Sequence, residues 1–521
     1  MHGQGHLLNT HNTLGDNGWK STPLGTANPL DGTTVYLLEA SALFEAIGPT
    51  RTATGANVLS RSLQQPLTDL HDIHDKQQAL EELDARPDLR SRIDEFLDAY
   101  RGLEEGLNAF LTQDFAPINA YSTLRNARRV LRTLAKGPQL DADSTYLKQV
   151  NQVFDEFPQT HAYSFHKGTI YKTHQGMRSG REIGFLTPHW RTVPRHFTLP
   201  NATVLLTSYL AFFNADSQMQ TNDAMVLWLL FNGMIGPSYI MAAKPLFDTA
   251  KGIRPLATEL SEDESFGTAL DAVGRLDELR TFQRYRDRIK ERFEGDVTLP
   301  TVTDEPQYRF QAANLRNPTL AEKIGDFVPN DLALDERLTF ITGPNSAGKT
   351  TICKSIAQAQ MLAQAGCYVP AASCAVTIAD QIAYQAPQFD SLQDEEGRFG
   401  TELRRTRDIF FRTTPRSIVI LDELAEGTTI EEKMAHSRMV IDGFRAIGNA
   451  TVLVTHNHAL AREYEKNSTG KFLQGEFAGT EPTHRFVPGV STNSHADVVS
   501  RRLGFTQQEI DQYLRQNGYR G

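Results

Sequence analysis

Leu338-Thr339-Phe340-Ile341-Thr342-Gly343-Pro344-Asn345-Ser346-Ala347-Gly348-Lys349-Thr350-Thr351 decides how the rest of the chain is read. Leu338 to Thr342 is apolar and β-branched, which reads as a buried strand. Gly343-x-x-x-x-Gly348-Lys349-Thr350 follows, and a helical pattern starts at once with Ile352, Ile356, Ala359, Leu362 and Ala363. Strand, glycine loop, lysine, hydroxyl and helix are what holding a triphosphate requires. The glycines let backbone N–H groups of the loop close around phosphate oxygens, and the helix N-terminus adds partial positive charge. Lys349 reaches the β and γ oxygens, and the Thr350 hydroxyl suits a Mg²⁺ position. The bland alternative is a tight strand-to-helix turn with no ligand; it leaves every filled position of the pattern as coincidence.

A phosphate loop alone says only "nucleotide". Downstream, Arg416-Ser417-Ile418-Val419-Ile420-Leu421-Asp422-Glu423 reads as a second buried strand ending in two carboxylates. Asp422 suits Mg²⁺, directly or through water, and Glu423 suits the general base that polarises an attacking water. A solvated acidic turn is the competing reading. A third strand, Thr451 to Thr455, delivers His456. Third in this series, a histidine at a strand end reads as a γ-phosphate sensor. The expected cofactors are therefore ATP and Mg²⁺.

At 521 residues, two to four domains are expected. A charged fraction of 22% and a hydrophobic fraction of 40% suit a soluble protein, and a net charge of −10 excludes a uniformly basic coat while permitting a local basic groove. The three cysteines, Cys353, Cys367 and Cys374, make neither a zinc spacing nor a disulfide framework, which fits a cytoplasmic location. No signal peptide is expected from Met1 to Asn28.

Residues 1–34 read as a flexible tail. From Thr34 the pattern is helical. Asp69 is placed to cap a helix carrying Ile73, Gln77 and Leu80, and Leu89, Ile93, Phe96, Tyr100, Leu103 and Leu107 mark a long amphipathic helix. Leu124 to Lys136 is a basic amphipathic helix with Arg125, Arg128, Arg129, Arg132 and Lys136. It reads either as a phosphate-contacting face or, more blandly, as a solvated face paired with acidic neighbours. His161 to His196 reads as a positive loop with interleaved aromatics. Two uncharged stretches, Phe197 to Ala215 and Ala224 to Ala243, fit buried core helices or a membrane hairpin. Glu264 to Phe293 reads as another long helix. Gly295 to Pro306 reads as a domain boundary, beyond which the chain becomes α/β.

The ordered motifs carry a resemblance. Gly343 to Thr351, Gly366 to Ala371, Leu421-Asp422-Glu423 with Glu426-Gly427-Thr428-Thr429, Thr455-His456, and Pro488-Gly489 through Ser494-His495 resemble the MutS family of DNA mismatch-repair ATPases. In the helical half, Thr52-x-Thr54-Gly55, Leu59, Leu63, Pro66-Leu67-x-Asp69 and Gln77 to Leu80 resemble the start of that family's lever domain. The resemblance covers about residues 36–135 and 307–515. It implies a mainly helical core/lever domain over 35–300, with a divergent middle segment, followed by a P-loop, ABC-type α/β ATPase domain over 301–521. It implies that Phe327, within Asp326 to Asn330, stacks on adenine, and that the chain forms a homodimer through its ATPase domains. Departures are also expected. The mismatch-reading and connector domains would precede the lever, and only a short tail stands there. Residues 137–300 match nothing that can be placed. Glu426 replaces an arginine, no nuclease tail follows Gly521, and Gly397 to Glu402 replaces the signature that reaches a partner's nucleotide, with Thr401 as its candidate hydroxyl.

Two functions are consistent with these readings. One is a dimeric, ATP-hydrolysing DNA clamp or sensor in mismatch repair or a related transaction, engaging duplex or branched DNA and a repair partner protein. The other is a MutS-like switch ATPase that acts on a protein or membrane partner without DNA.

Overall fold

A computed structural model describes residues 28–180, 189–192, 244–293, 296–320, 323–324, 327–387, 397–425, 429–479, 481–491 and 504–519. They divide into two compact units, one containing Thr50–Val58 and Glu82–Arg280, the other Pro23–Pro49, Leu59–Glu81 and Thr281–Gly521. The uncharged stretches 197–215 and 224–243, Asp326, Ser391 to Glu396, Glu426 to Thr428 and Ser494-His495 lie outside the described residues. Among the described residues no helix is long and apolar enough to cross a membrane.

The first unit is mainly helical. Helix Pro87–Leu111 starts with proline at its first turn and Asp88 beside the N-terminal dipole, and buries Leu89, Ile93, Phe96, Tyr100, Leu107 and Phe110 along one stripe. Helix Ala120–Lys136 packs beside it through Leu124, Ala127, Val130, Leu131 and Leu134. On its outer face Arg125, Arg129, Arg132 and Lys136 are exposed, and none makes an ion pair with a described residue. Arg128 instead donates to the carbonyls of Phe165 and Gly168 at 3.1 and 2.7 Å. The acidic pairing expected for this face is therefore not what the structure shows.

Where a loop is expected over His161 to His196, a short helix His161–Ser164 is followed by an antiparallel sheet of β1 (Ile170–Thr173), β2 (Gly176–Ser179) and β3 (Trp190–Thr192), ordered β2-β1-β3. Strands of three or four residues are too short to show an alternating pattern. Gly176, at φ +114, supplies the turn between β1 and β2.

Two buried carboxylates hold the start of helix Ala53–Gln64 in this unit. Asp277 accepts from the Arg51 and Thr52 amides (3.1 and 2.8 Å) and the Thr52 hydroxyl (2.8 Å). Glu104 accepts from the Ala53 and Thr54 amides (2.8 and 2.7 Å) and the Thr54 hydroxyl (2.7 Å). Between them they satisfy N–H groups that a helix leaves unpaired at its first turn. A side chain on Gly55 would meet Asp277 Oδ2 at 2.3 Å, so glycine is required for the carboxylate to approach.

The second unit holds the remaining strands. β4 (Thr301–Thr303), β5 (Phe310–Leu315), β6 (Asn330–Leu334) and, later in the chain, β8 (Ser373–Thr377) form a four-stranded sheet ordered β4-β8-β5-β6. β7 (Leu338–Thr342), β9 (Ile382–Gln385), β10 (Ile418–Asp422), β11 (Ala450–Thr455), β12 (Lys471–Ala478) and β13 (Glu481–Pro488) form a six-stranded sheet ordered β13-β12-β7-β11-β10-β9. All contacts except β12 with β13 are parallel. β7, β9, β10 and β11 are buried at every residue, as parallel strands covered on both faces must be. Phe340, Leu421, Leu453, Phe444 and Ile409 centre one core of this unit.

Residues 28–34 are tied down rather than part of a loose tail. Asp31 caps helix Gly32–Leu37 by accepting from the Thr34 amide at 2.8 Å, and the Pro29 carbonyl accepts from the edge-strand amide of Ile382 at 2.9 Å. Arg405 reaches Asp31 at 3.0 Å and the Thr34 hydroxyl at 2.9 Å. Burial pushes the Asp31 carboxyl up, but the Thr34 amide and the Arg405 guanidinium outweigh it and leave it below its ordinary 3.8. A carboxyl lowered on folding adds stability that is full above 3.8 and is lost as pH falls through the lower, folded value. Hydrogen exchange of residues 28–39, corrected for its intrinsic pH dependence, is therefore expected to accelerate only below 3.8. Protection retained down to complete carboxyl protonation would remove Asp31 as the anchor.

Candidate functional site

Register places the chemistry. Thr342 of β7 lies opposite Thr455 of β11, and Asp422 of β10 lies opposite Val454. The residues that follow, Gly343, His456 and Glu423, therefore leave the sheet at one level, at the carboxyl ends of parallel strands, where open α/β sheets hold ligands. Gly343 (φ +129) and Gly348 (φ +89) take conformations that residues with a side chain rarely adopt, and helix Lys349–Gln364 starts directly after the loop.

Lys349 is buried, with Nζ 2.7 Å from the Gly343 carbonyl and 3.4 Å from His456 Nε2. Burial pulls this amine down to about 8, against the attraction of Asp422 and Glu423. Glu423 Oε1 lies 3.1 Å from His456 Nε2. Nε2 thus faces a cation and a carboxylate, and a proton on it serves the nearer Glu423. The Thr350 hydroxyl donates to Asp422 Oδ2 at 2.9 Å. These two oxygen donors, one anionic, are a hard set that fits Mg²⁺. Glu423 sits at φ +68, a strained conformation for a side-chain-bearing residue, fixed by its amide donating to the Val454 carbonyl at 2.9 Å.

Other expected residues fall as follows. Pro344 accepts at its carbonyl from the Ala347 amide, Ala347 is buried, Ser346 is exposed and Thr351 is half-buried; the Asn345 side chain is outside the described residues. Phe327 is half-buried, three residues before Asn330. Asn330 joins β6 to β13, donating to the His484 carbonyl at 3.0 Å and accepting from the Phe486 amide at 2.8 Å. Thr401 is the fifth residue of helix Gly397–Arg412 and is not among the side chains that meet at the loop.

Sequence reasoning missed two neighbours of this site. His484 brings its Nδ1 to 3.6 Å from where a side chain on Gly348 would begin. Tyr384, fully buried in β9, donates its hydroxyl to Asp422 Oδ2 at 3.3 Å. Neither has a spacing signal, since His484 is one polar residue in an exposed strand and Tyr384 reads as core.

The model of MutS domain V matches residues 339–499, and that of MutS domain III matches residues 26–290, over half the chain. The chain belongs to the MutS family. The DNA mismatch repair protein MutS of Methanosarcina mazei is 23% identical over 527 residues, covering 90% of this MutS-family chain and 57% of the relative. That of Shouchella clausii is 30% identical over 234 residues, or 41% of this chain and 26% of the relative. Endonuclease MutS2 of Thermus thermophilus is 29% identical over 265 residues, or 50% of this chain and 33% of the relative. The chain thus spans between about a quarter and just over half the length of these relatives.

Proposed function

We propose that this MutS-family chain is an ATP-hydrolysing, DNA-binding protein acting as a dimeric clamp or sensor in mismatch repair or a related DNA transaction. The observation that carries the reading is the meeting of Lys349, Thr350, Asp422, Glu423 and His456 at the mouth of the Gly343–Gly348 loop. Residues 301–521 act as a P-loop, ABC-type ATPase domain and residues 35–300 as the lever. The loop amides and Lys349 bind the β and γ phosphates, Phe327 stacks on adenine, and Glu423 takes a proton from the attacking water while His456 holds that carboxylate. Thr350 and Asp422 would hold Mg²⁺, which when bound would supply positive charge beside the transferring phosphoryl group. Thr401 reaches the nucleotide of a second copy. The relatives' names, which speak of DNA mismatch repair, and the exposed cations of helix Ala120–Lys136 support DNA over a protein or membrane partner.

ATPase rate and binding anisotropy with homoduplex, mismatched duplex and four-way junction across a salt series test this function. One DNA that binds with a steep salt slope and changes the rate supports it. Hydrolysis without binding to any of the three overturns the DNA part. Lys349→Ala is expected to weaken ATP binding by about 10- to 100-fold, since it removes charge-assisted hydrogen bonds to phosphate. Fluorescent-nucleotide titration checks it, and undiminished affinity would place the phosphates elsewhere.

A further inference from the structure

Asp422 is held from two directions at one oxygen. Thr350 and Tyr384 both donate to Oδ2, at 2.9 and 3.3 Å, whereas Oδ1 makes no hydrogen bond to a described residue. The two donors differ in permanence. Thr350 is exposed at the loop, so its bond to Asp422 is not fixed by packing. Tyr384 is fully buried, and its ring cannot follow.

The backbone of Tyr384 is fixed as well. Its amide donates to the Thr34 hydroxyl at 3.4 Å, and its carbonyl accepts from Arg405 at 3.3 Å. Arg405 also holds the Thr34 hydroxyl and Asp31, so helix Gly32–Leu37 and β9 are clamped by one guanidinium. A chain of contacts therefore runs from Asp31 through Arg405 and Thr34 to Tyr384 and ends on the carboxylate.

We infer that Tyr384 is a positioning residue: its hydroxyl, anchored through Thr34 and Arg405, keeps Asp422 turned so that Oδ1 meets the cation that accompanies the nucleotide. The inference rests on the nucleotide reading above. Without the hydroxyl, Asp422 rotates about its side-chain bonds, and the cation must order it on binding, which lowers cation affinity without touching the phosphate cradle.

The test uses the full chain, a fluorescent ATP analogue and a Mg²⁺ titration, with Mn²⁺ binding followed by electron paramagnetic resonance. Tyr384→Phe keeps the ring and removes the hydroxyl. It is expected to raise half-saturating Mg²⁺ and Mn²⁺ about five- to tenfold, while affinity for the analogue in chelator stays at the wild-type value. A purely packing role would lower both or neither. Should Tyr384→Phe lower the melting midpoint, Thr34→Val approaches the same strand from the other side. It is expected to shift the Mg²⁺ requirement the same way by a smaller factor. Asp422→Asn separates the two levels of the argument. If it abolishes the Mg²⁺ response while Tyr384→Phe and Thr34→Val leave it at wild type, the positioning role is overturned and the nucleotide site stands. If Asp422→Asn responds to Mg²⁺ as wild type does, Asp422 is not the cation's ligand and this inference fails alone; if the wild-type chain binds no ATP analogue, the nucleotide reading fails, and this inference with it.

Discussion

Glu423→Gln is expected to leave ATP binding intact and to lower turnover by about 10²–10⁴-fold, the range for losing a positioned general base. The substitution keeps the shape of the side chain and the hydrogen bond within reach of His456, whose Nε2 lies 3.1 Å from Glu423 Oε1. What it removes is the proton acceptor. The strained backbone at Glu423, φ +68, points the same way, because such conformations persist where the surrounding structure over-determines them, here through the bond to Val454. Single-turnover hydrolysis measured beside nucleotide affinity decides the matter. Wild-type hydrolysis in Glu423→Gln would pass the base role to another group, and loss of affinity in step with turnover would make Glu423 a binding residue.

Asp277→Ala is expected to destabilise the helical unit by about 3–5 kcal/mol, because it strands buried donors that a charged acceptor had satisfied. Asp277 is fully buried and serves the Arg51 amide together with both donors of Thr52. Its charge also sits at the positive end of helix Ala53–Gln64, beside that of Glu104. At about 2–4 °C per kcal/mol for a unit of this size, the unfolding midpoint falls by roughly 10 °C. Asp277→Asn, which keeps one acceptor oxygen, is expected to lose less. Hydrogen exchange at the Thr52–Val58 amides, read with the thermal midpoint, checks the prediction. Unchanged protection there would mean that Glu104 alone holds the helix start.

The glycine loop and the three buried strands that meet at it were legible because their signals are local. Gly343, Gly348, Lys349 and Thr350 lie within one turn of chain, and Asp422, Glu423 and His456 each end an uninterrupted apolar run. The long helices were legible for the same reason, from the spacing of Leu89, Ile93 and Phe96 or of Leu124 and Leu131. What escaped is made by distant partners. Thr52 and Thr54 stood out only as a family motif, because their acceptors Asp277 and Glu104 are 225 and 50 positions away. Tyr384 reads as one more core aromatic until Asp422, 38 positions on, is seen beside its hydroxyl. β1 to β3 were lost to brevity. The hold on residues 28–34 was hidden because Pro29 and Thr34 pair with a strand that begins at Ile382.

That last pairing bears on how the protein is made. Thr34 and the Tyr384 amide are separated by 350 positions, yet Leu30, Leu38, Leu43 and Ile47 around the strap are buried in the finished unit. During synthesis at about 5–20 residues per second, roughly 20–70 s pass between the emergence of the strap and that of its strand. For that interval the ribosome carries an apolar segment whose strand partner does not yet exist, so the second unit closes only late in translation.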